Sequence, residues 1–396
     1  MTAEGLRTGT PAGRWVLLTT VLGSSLAMLD GTVVNVALAH IGEDLGAGFA
    51  GLQWTVNAYT LGLAALILLG GSLGDRYGRR RVFLVGVVWF AVASAGCALA
   101  PDIGTLIVAR ALQGIGGALL TPGSLAIISS SFHGEDRSVA VGIWSGLGGI
   151  AGAVGPFVGG WLVEWSWRAV FLINLPLAVV VVVVALKHAP ESKDPEAAPG
   201  LDLSGTALAV VGLASLTWAL TEGGSGWTPA VWVALVLGLV ALAAFVPIER
   251  RSRHPLVPPT LFRSRVFTAA NVVTLLVYAA LGTLFLLLVL ELQVVAGFTP
   301  ALAGAGLLPV TVLMLLFSGR AGALAQRIGP RVPMTVGPLV AACGVLLLTR
   351  IGPDASWLLD VLPGVLLFAV GLTLTVAPLT ATVLDAAPDR YAGAAS

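Results

Sequence analysis

The sequence is poor in charged residues. Only 10% of its 396 residues are Asp, Glu, Lys or Arg, whereas soluble domains carry about 25%. Apolar residues make up 57% of the chain, and the mean hydropathy is +0.95. A water-soluble fold is excluded, because it could not bury that much apolar surface. The net charge of +1 gives no indication of a nucleic-acid partner.

Histidine and cysteine are also scarce. The four histidines have no metal-ligand spacing, and the two cysteines, Cys97 and Cys343, lie in apolar runs. We interpret both cysteines as small hydrophobic residues, not as a disulfide or a metal site. The sequence has no nucleophile triad, phosphate-binding loop or metal constellation. It therefore predicts no enzyme, no resident metal and no cofactor.

Long apolar runs are abundant. A helix needs about 20 apolar residues to cross a bilayer, and in lipid its backbone must satisfy its own hydrogen bonds. The runs predict an all-α polytopic membrane protein with about 12 transmembrane helices. Their approximate bounds are 15–38, 52–73, 82–100, 104–129, 139–163, 168–186, 204–221, 229–248, 266–292, 301–320, 332–350 and 357–380. The 50 glycines agree, because small residues let spanning helices approach closely.

The basic residues predict the orientation. With a cytoplasmic N-terminus, all but three of the 21 Lys and Arg residues fall in cytoplasmic segments. The exceptions are Arg168 and Arg350, which fall outside, and Arg110, which lies within a span. This asymmetry is typical of the positive-inside rule and favours a cytoplasmic N-terminus.

Two basic loops are similar to each other. The loop after the second span, GSLGDRYGRRR (71–81), matches the loop after the tenth, GALAQRIGPRV (322–332), at five positions with a constant offset. Repeated halves are typical of secondary transporters, whose site lies between the halves. The alternative is that short basic turns look alike by chance.

The repeat also predicts a domain organisation. Four spans follow the first copy before a linker, whereas only two follow the second. This predicts a six-helix N-terminal bundle (1–186), a cytoplasmic linker (187–203), two inserted helices (204–248), a second linker (249–265) and four helices of a C-terminal bundle (266–396). Such a fourteen-helix plan, stopping after twelve, leaves an inactive or non-transporting membrane protein as one alternative.

Two charged side chains lie well away from the ends of their predicted spans. LDGTVVNVAL (29–38) places Asp30 about mid-helix in the first span, and RALQGIGGA (110–118) places Arg110 in the fourth. Both are costly in lipid, so each needs a cavity or a partner. The positive charge of Arg110 can favour the ionised form of a nearby acid. Asp30 is interpreted as a protonation or cation-sensing site, or alternatively as a carboxylate that only bonds neighbouring helices.

Other residues of these motifs are assigned packing roles. Asn35 is interpreted as a polar residue that stabilises helix packing, and Gln113 and Gly114 as residues that shape a helix contact. In QWTVNAYTL (53–61), Trp54 and Tyr59 are interpreted as interfacial anchors, with cavity lining as the alternative.

Glycine marks two further motifs. In the loop 71–81 glycines permit tight helix ends, the acid can accept hydrogen bonds near a helix N-terminus, and the arginines can pair with acids or lipid phosphates. Its candidate residues are Gly71, Asp75, Arg76, Gly78, Arg79 and Arg80. In the fifth span a proline bends the helix and glycines allow close packing. The residues there are Gly142, Gly155, Pro156, Gly159 and Gly160.

In this order along the chain, the motifs resemble those of the major facilitator superfamily, and specifically the fourteen-helix drug:proton antiporters of the EmrB/QacA type. WSWRAVFLINLP (165–176) and ELQVVAGFTPALAGAGLLP (291–309) also resemble family segments. The resemblance implies the major facilitator fold and a proton-coupling role for Asp30 and Arg110. It implies a conformational-switch role for the loop 71–81, with a mere topology signal as the alternative. The fifth-span motif implies export, with a generic glycine-rich interface as the alternative.

The implied function is a proton-coupled multidrug or small-molecule exporter working by alternating access. Its expected partners are small amphipathic substrates, protons and membrane lipids, and it is expected to be a monomer in a bacterial cytoplasmic membrane. An exporter of one specific metabolite or antibiotic is an alternative that the motifs hardly separate from the first.

Overall fold

The computed structural model describes residues 6–193, 200, 202–252 and 261–385. The α-helices of this part are α1 (Pro11–Leu45), α2 (Phe49–Tyr77), α3 (Arg79–Ala98), α4 (Ile103–Ser131), α5 (Gly134–Val163), α6 (Ala169–Leu172), α7 (Asn174–His188), α8 (Leu203–Gly223), α9 (Pro229–Arg251), α10 (Arg265–Leu290), α11 (Pro300–Ala305), α12 (Leu308–Ile328), α13 (Arg331–Leu348) and α14 (Leu362–Asp385). Short π-helical turns precede α11 and α14. Residues 386–396 of the predicted C-terminal bundle and parts of both predicted linkers lie outside the described residues.

Eleven helices in the described part are long and apolar enough to cross a membrane. The fifth predicted span corresponds to the 30-residue helix α5, whose apolar part includes Ile150–Val163. Together these helices correspond to the twelve apolar runs of the sequence. The prediction of an all-α polytopic fold is confirmed.

The ends of the helices follow local sequence signals. Helix α1 begins at Pro11, and the Thr10 hydroxyl accepts a hydrogen bond from the Gly13 N–H at 3.2 Å. This N-cap satisfies a backbone donor that the helix cannot pair. Asp102 caps α4 in the same way. Hydrogen bonds from the side chain and backbone of Thr105 hold the pKa of Asp102 below its usual value.

The predicted loop 71–81 is almost entirely helical, so the expectation of a loop there is wrong. Helix α2 continues to Tyr77 and α3 begins at Arg79, which leaves Gly78 alone between them with a φ of 115°. Residues with a side chain rarely adopt this φ. In the second copy, Gly329 separates α12 from α13 with a φ of 83°. Pro330 follows Gly329 before α13 begins. Both copies therefore place a glycine at positive φ directly after the first helix.

The chain divides into two compact units. The first comprises 1–34, 40–152 and 165–256, and the second comprises 35–39, 153–164 and 257–396. Helices α1 and α5 therefore contribute residues to both units.

The first unit is built on close packing of α2, α3 and α4. A Cβ atom on Gly114 of α4 would clash with the backbone carbonyl of Tyr59 on α2 and lie 3.0 Å from the Leu63 nitrogen. Glycine is required at such a close approach, because any side chain would push the helices apart. Beside this contact lies an apolar core that includes Phe83, Phe90 and Leu120.

The predicted inserted helices form a pair within the first unit. Helices α8 and α9 pack against each other, and α8 also contacts α2. Trp54 Nε1 donates to Glu222 Oε1 at 3.2 Å, and Asn57 Nδ2 donates to Thr221 Oγ1 at 3.4 Å. Glu222, near the end of α8, thus accepts a hydrogen bond from α2.

The second unit is organised around α12, α13 and α14. Glycines again mark the closest approach, since a Cβ atom on Gly344 of α13 would press against the backbone of Phe368 on α14. The buried apolar side chains of this unit include Leu292, Ala303 and Val361.

Candidate functional site

Six polar side chains of the first unit are buried together among apolar helices. They come from α1, α2, α3, α4 and α7, and each is at most 1% exposed. They are Asp30, Thr55, Ser94, Arg110, Gln113 and Asn174. Burying such groups is costly unless they are hydrogen-bonded to one another, so their contacts define a candidate site.

Asp30 is at the centre of this cluster. Its Oδ2 atom lies 2.5 Å from Arg110 Nη1. Its Oδ1 atom accepts hydrogen bonds from Gln113 Nε2 at 2.8 Å and from Asn174 Nδ2 at 2.9 Å. Three donors converge on one carboxyl group, which is the arrangement that an ionised carboxylate requires.

Arg110 is held on several sides. Its Nη1 atom also donates to Gln113 Oε1 at 2.7 Å, and its Nε atom donates to the Thr55 carbonyl at 3.0 Å. The guanidinium carbon lies 4.3 Å from the centre of the Tyr59 ring and 5.7 Å from that of Phe171. Aromatic faces attract a cation electrostatically, so the charge is balanced by one carboxylate, carbonyl oxygens and ring faces.

The sequence motifs singled out Asp30, Arg110 and Gln113, and the structure brings the three side chains together. Gln113 does more than shape a helix contact, because it hydrogen-bonds both charged groups. Tyr59 is 4% exposed, and its hydroxyl donates to the Ala27 carbonyl at 3.1 Å. The expectation of an interfacial anchor is therefore wrong for Tyr59, since its ring packs against the guanidinium of Arg110 between the helices of the first unit.

Asn35 does not join this cluster. It lies on the part of α1 that belongs to the second unit, and its Oδ1 atom is buried without a hydrogen-bond partner among the described residues. Its predicted role in helix packing stays a prediction.

Asn174 and Ser94 were missed by the sequence reasoning. Asn174 Nδ2 donates to Ser94 Oγ at 3.0 Å as well as to Asp30, and Ser94 Oγ donates to the Phe171 carbonyl at 2.9 Å. The family-like segment 165–176 contains Asn174 and gave a signal that could have been followed. Ser94 gave no signal, because a serine within an apolar run is ordinary.

The segment 71–81 forms a second group of contacts. Arg79 binds Asp75, four residues earlier, with Nε and Nη2 each 2.8 Å from Oδ1. The Arg76 guanidinium lies 5.4 Å from the centre of the adjacent Tyr77 ring. Gly71 lies near Pro122 of α4. A Cβ atom on Gly71 would lie 3.7 Å from Pro122 Cβ, which is an ordinary van der Waals distance. Asp75 thus lies in the last turn of α2, close to the start of α3.

A neighbour of this segment that the sequence could not reveal is Glu191. Its Oε1 atom accepts from the Arg80 backbone N–H at 3.1 Å, and its Oε2 atom lies 3.8 Å from Arg80 Nε. The carbonyl groups of Ala189 and Ser192 accept from Arg80 Nη1 and the Arg79 N–H, each at 2.9 Å. The start of the predicted linker therefore caps the N-terminus of α3.

The fifth-span motif is not part of the buried cluster. Gly142 is exposed, and a Cβ atom there would meet nothing within 4 Å. Gly155, Pro156, Gly159 and Gly160 are buried. Within the second unit, a Cβ atom on Gly160 would lie 2.8 Å from the Ala301 nitrogen, so Gly160 permits a close approach of the chain there.

The chain has close relatives among curated proteins. It is 38% identical over 384 residues to multidrug resistance protein Stp of Mycobacterium tuberculosis, covering 96% of this chain and 71% of that protein. It is 38% identical to puromycin resistance protein pur8 of Streptomyces alboniger, covering 98% and 78%. It is 35% identical to the tetracenomycin C resistance and export protein of Streptomyces glaucescens, covering 99% and 73%.

Solved structures share the fold at much lower identity. The POT family transporter PepTSo matches with a TM-score of 0.70 and 17% identity, covering 96% of this chain and 85% of that one. The xylose transporter XylE from E. coli, in an inward open conformation, matches with a TM-score of 0.64 and 16% identity, covering 96% and 84%. The family model of the Major Facilitator Superfamily matches residues 20–396. This multi-pass membrane protein therefore belongs to the Major Facilitator Superfamily.

Proposed function

We propose that this protein is a proton-coupled exporter of small amphipathic compounds that works by alternating access. The observation that carries the proposal is the buried ion pair between Asp30 and Arg110. A buried ion pair is poor at stabilising a fold, because desolvation can exceed the Coulombic gain. An ionisable group within a spanning helix is more often part of an ion or proton pathway.

The names of the relatives support export as the direction. They describe multidrug resistance, puromycin resistance, and tetracenomycin C resistance and export. We infer that this chain likewise moves antibiotic-like compounds out of a bacterial cell. The fifth-span motif, with Gly142, Gly155, Pro156, Gly159 and Gly160, supports the same direction through its resemblance to exporters.

The geometry suggests how a proton would act. In the ionised form, Asp30 accepts hydrogen bonds from Arg110, Gln113 and Asn174. A proton on Asp30 removes the negative charge, and Arg110 then keeps a buried positive charge without its carboxylate. That state is costly, so proton binding shifts the relative free energies of two conformations. A gradient that loads and unloads Asp30 from opposite sides would then drive the cycle.

The placement in the membrane belongs to the same proposal. We place the N-terminus in the cytoplasm of a bacterial cell and the protein in the cytoplasmic membrane, on the distribution of Lys and Arg. The segment with Gly71, Asp75, Arg76, Gly78, Arg79 and Arg80 is proposed as the conformational switch. The domain plan stays as predicted from the repeat, with the α8–α9 pair as the insertion and the protein acting as a monomer.

The decisive experiment is transport in everted membrane vesicles. A fluorescent amphipathic cation is offered, a pH gradient is imposed, and uptake is followed for the unmodified protein and for Asp30→Asn and Arg110→Ala. We expect both variants to lose gradient-driven uptake by a factor of at least about 10, since proton-transfer groups contribute about 10² or more. Asp102→Asn is the matched control, because asparagine is an equally good N-cap and Asp102 lies at the exposed start of α4.

Unchanged gradient-driven uptake in Asp30→Asn would contradict proton coupling at this site. Uptake lost equally in Asp102→Asn would show that the assay reports folding, which the amount of protein in the membrane measures independently.

A second candidate function is the export of one specific compound. It is favoured by relatives whose names each give a single antibiotic, puromycin or tetracenomycin C. A panel of chemically diverse substrates separates the two functions. A broad exporter would lower the accumulation of many members, whereas a specific exporter would act on one chemical class.

A further inference from the structure

Asn174 connects Asp30 to the junction between α6 and α7. Its Nδ2 group uses one hydrogen for Asp30 Oδ1 at 2.9 Å and the other for Ser94 Oγ at 3.0 Å. Ser94 donates its own hydrogen to the carbonyl of Phe171, the third residue of the short helix α6. The side chains of Asp30, Ser94 and Asn174 are all fully buried.

Ser94 determines which way the Asn174 amide points. A hydroxyl has one hydrogen, and that of Ser94 lies on the Phe171 carbonyl. Ser94 can therefore only accept from Asn174. If the amide were turned by half a turn, its carbonyl oxygen would face the lone pairs of Ser94 and of an ionised Asp30. The orientation in the structure is thus the one that an ionised Asp30 requires, and the hydrogen-bond network assigns it.

The other end of the same amide is unsatisfied. Asn174 Oδ1 is buried and has no hydrogen-bond partner among the described residues, although buried polar atoms rarely lack one. A protonated Asp30 would carry an O–H that needs an acceptor. The three groups that now bond Asp30 are all donors, from Arg110, Gln113 and Asn174. A half-turn of the amide would supply the missing acceptor.

We propose that Asn174 and Ser94 form a hydrogen-bond switch that transmits the protonation of Asp30 to the α6–α7 junction. When a proton binds the Asp30 carboxylate, the neutral acid donates its O–H to Asn174 Oδ1, which the half-turn has brought round. Ser94 then turns its hydroxyl from Phe171 to the same amide oxygen, and the Phe171 carbonyl loses its donor. When the amide turns, the Asn174 N–H groups give up both of their acceptors, Asp30 and Ser94. The one covalent bond formed is the O–H of Asp30, made with the proton that the carboxylate takes up. Asn174 is a positioning residue, and its role rests on the proposed proton coupling at Asp30.

The other ionisable groups around Asp30 are Arg110 on α4, Tyr59 on α2 and Cys97 on α3. Arg110 stays positive in both states of Asp30, so it favours the ionised form to the same extent in the unmodified protein and in variants of Asn174 or Ser94. Tyr59 and Cys97 donate instead to the Ala27 carbonyl and to Gln113 Oε1. Of the two amide side chains that bond Asp30, Gln113 already accepts with its Oε1 atom, whereas Asn174 Oδ1 has no partner among the described residues.

The test is an infrared titration of the protein reconstituted in lipid. The carbonyl band of a protonated carboxylic acid is followed against pH, and its loss in Asp30→Asn assigns the band to Asp30. In Asn174→Leu we expect the band to develop at a higher pH than in the unmodified protein. The reason is that the ionised form loses a charge-assisted hydrogen bond, which is stronger than the neutral bond that the acid form loses.

Ser94→Ala provides the second variant and is the gentler substitution. It frees the amide to turn, so we expect a smaller upward shift of the band. The double variant Ser94→Ala/Asn174→Leu should titrate like Asn174→Leu alone, because Ser94 acts on Asp30 only through Asn174. Ser124→Ala is the matched control, since this buried serine donates only to the Leu120 carbonyl of its own helix; it should leave the band unshifted.

An unshifted band in Asn174→Leu, or additive shifts in the double variant, would overturn the switch. If Asn174→Leu does not fold, an unshifted band in Ser94→Ala overturns it alone. The failure of the proposed function has a different result. In that case Asp30→Asn keeps gradient-driven transport, whatever the variants of Asn174 and Ser94 do to the infrared band.

Discussion

Arg110 Nη1 lies 2.5 Å from Asp30 Oδ2, and the two side chains are 1% and 0% exposed. Sequence separates them by 80 residues, and they belong to different helices of the first unit. This contact joins α1 to α4 and lies at the centre of the proposed coupling chemistry.

Removing one charge should cost more than removing both. Asp30→Asn leaves the Arg110 cation buried without its carboxylate, and breaking a buried pair in this way costs about 3–5 kcal/mol. Asp30→Asn/Arg110→Gln removes both charges, so we expect it to be less destabilised than Asp30→Asn alone. The free energy of unfolding in detergent, measured by chemical denaturation, gives the comparison. Additive losses in the double variant would show that the two side chains are not coupled.

Two motif glycines should respond in opposite ways to alanine. In Gly114→Ala the new Cβ atom would clash with the Tyr59 carbonyl, and we expect a loss of about 1–3 kcal/mol, as for overpacking. In Gly142→Ala the new atom meets nothing within 4 Å, so the higher helix propensity of alanine should stabilise α5 by about 0.5–1 kcal/mol.

Thermal unfolding of the two purified variants measures this contrast, and each variant is the control for the other. Equal changes in melting temperature would contradict the close packing of α2 against α4.

Glu191 should control the order of the N-terminus of α3. Its Oε1 atom accepts from the Arg80 backbone N–H, so Glu191→Ala should expose that donor and accelerate hydrogen exchange at Arg79, Arg80 and Arg81. Glu191→Gln keeps an acceptor oxygen and loses only the charge. Because the ion pair to Arg80 is partly exposed and 3.8 Å long, its loss should have little effect.

Hydrogen exchange read by mass spectrometry separates the two variants. Fast exchange in Glu191→Gln as well would assign the effect to the charge of the ion pair instead of the cap.

The attachment of the N-terminal segment should depend on pH. Thr8 donates to Asp136 Oδ1 from its hydroxyl at 2.7 Å and from its N–H at 2.9 Å. These bonds, the hydroxyl bond first, hold the pKa of Asp136 below its usual value of 3.8. The contact is thus fully stabilising above pH 3.8 and is lost as pH falls through the lower pKa of the folded state.

Thr8→Val removes the hydroxyl donor and should move the pKa of Asp136 back toward 3.8. The N-terminal segment should then detach at a higher pH than in the unmodified protein. Hydrogen exchange of the Leu6 N–H, which donates to the Ser131 carbonyl, reports detachment across the titration. An identical pH dependence in Thr8→Val would contradict the assignment.

Single residues show how much of the candidate site could be predicted from the sequence. Asp30 and Arg110 could be identified from the sequence, because a charged side chain in a long apolar run is costly in lipid and usually has a function. Glu191 could not, because an acid in a charged, proline-rich stretch is ordinary until the fold places it against Arg80. Tyr59 was misassigned, because a motif does not say which side of a helix faces its neighbours.

By itself, the sequence determined the membrane class, the spans and the motifs, since crossing lipid requires about 20 apolar residues in a self-bonded helix. It predicted tight helix ends at the glycines of 71–81, but only the structure showed that the break is Gly78 alone, with a φ of 115°. Only the tertiary structure decided that Asn174 and Ser94 meet Asp30 and that α8 packs against α2. These contacts join residues far apart in the chain, and they depend on how helices pack and rotate, which local apolar patterns leave open.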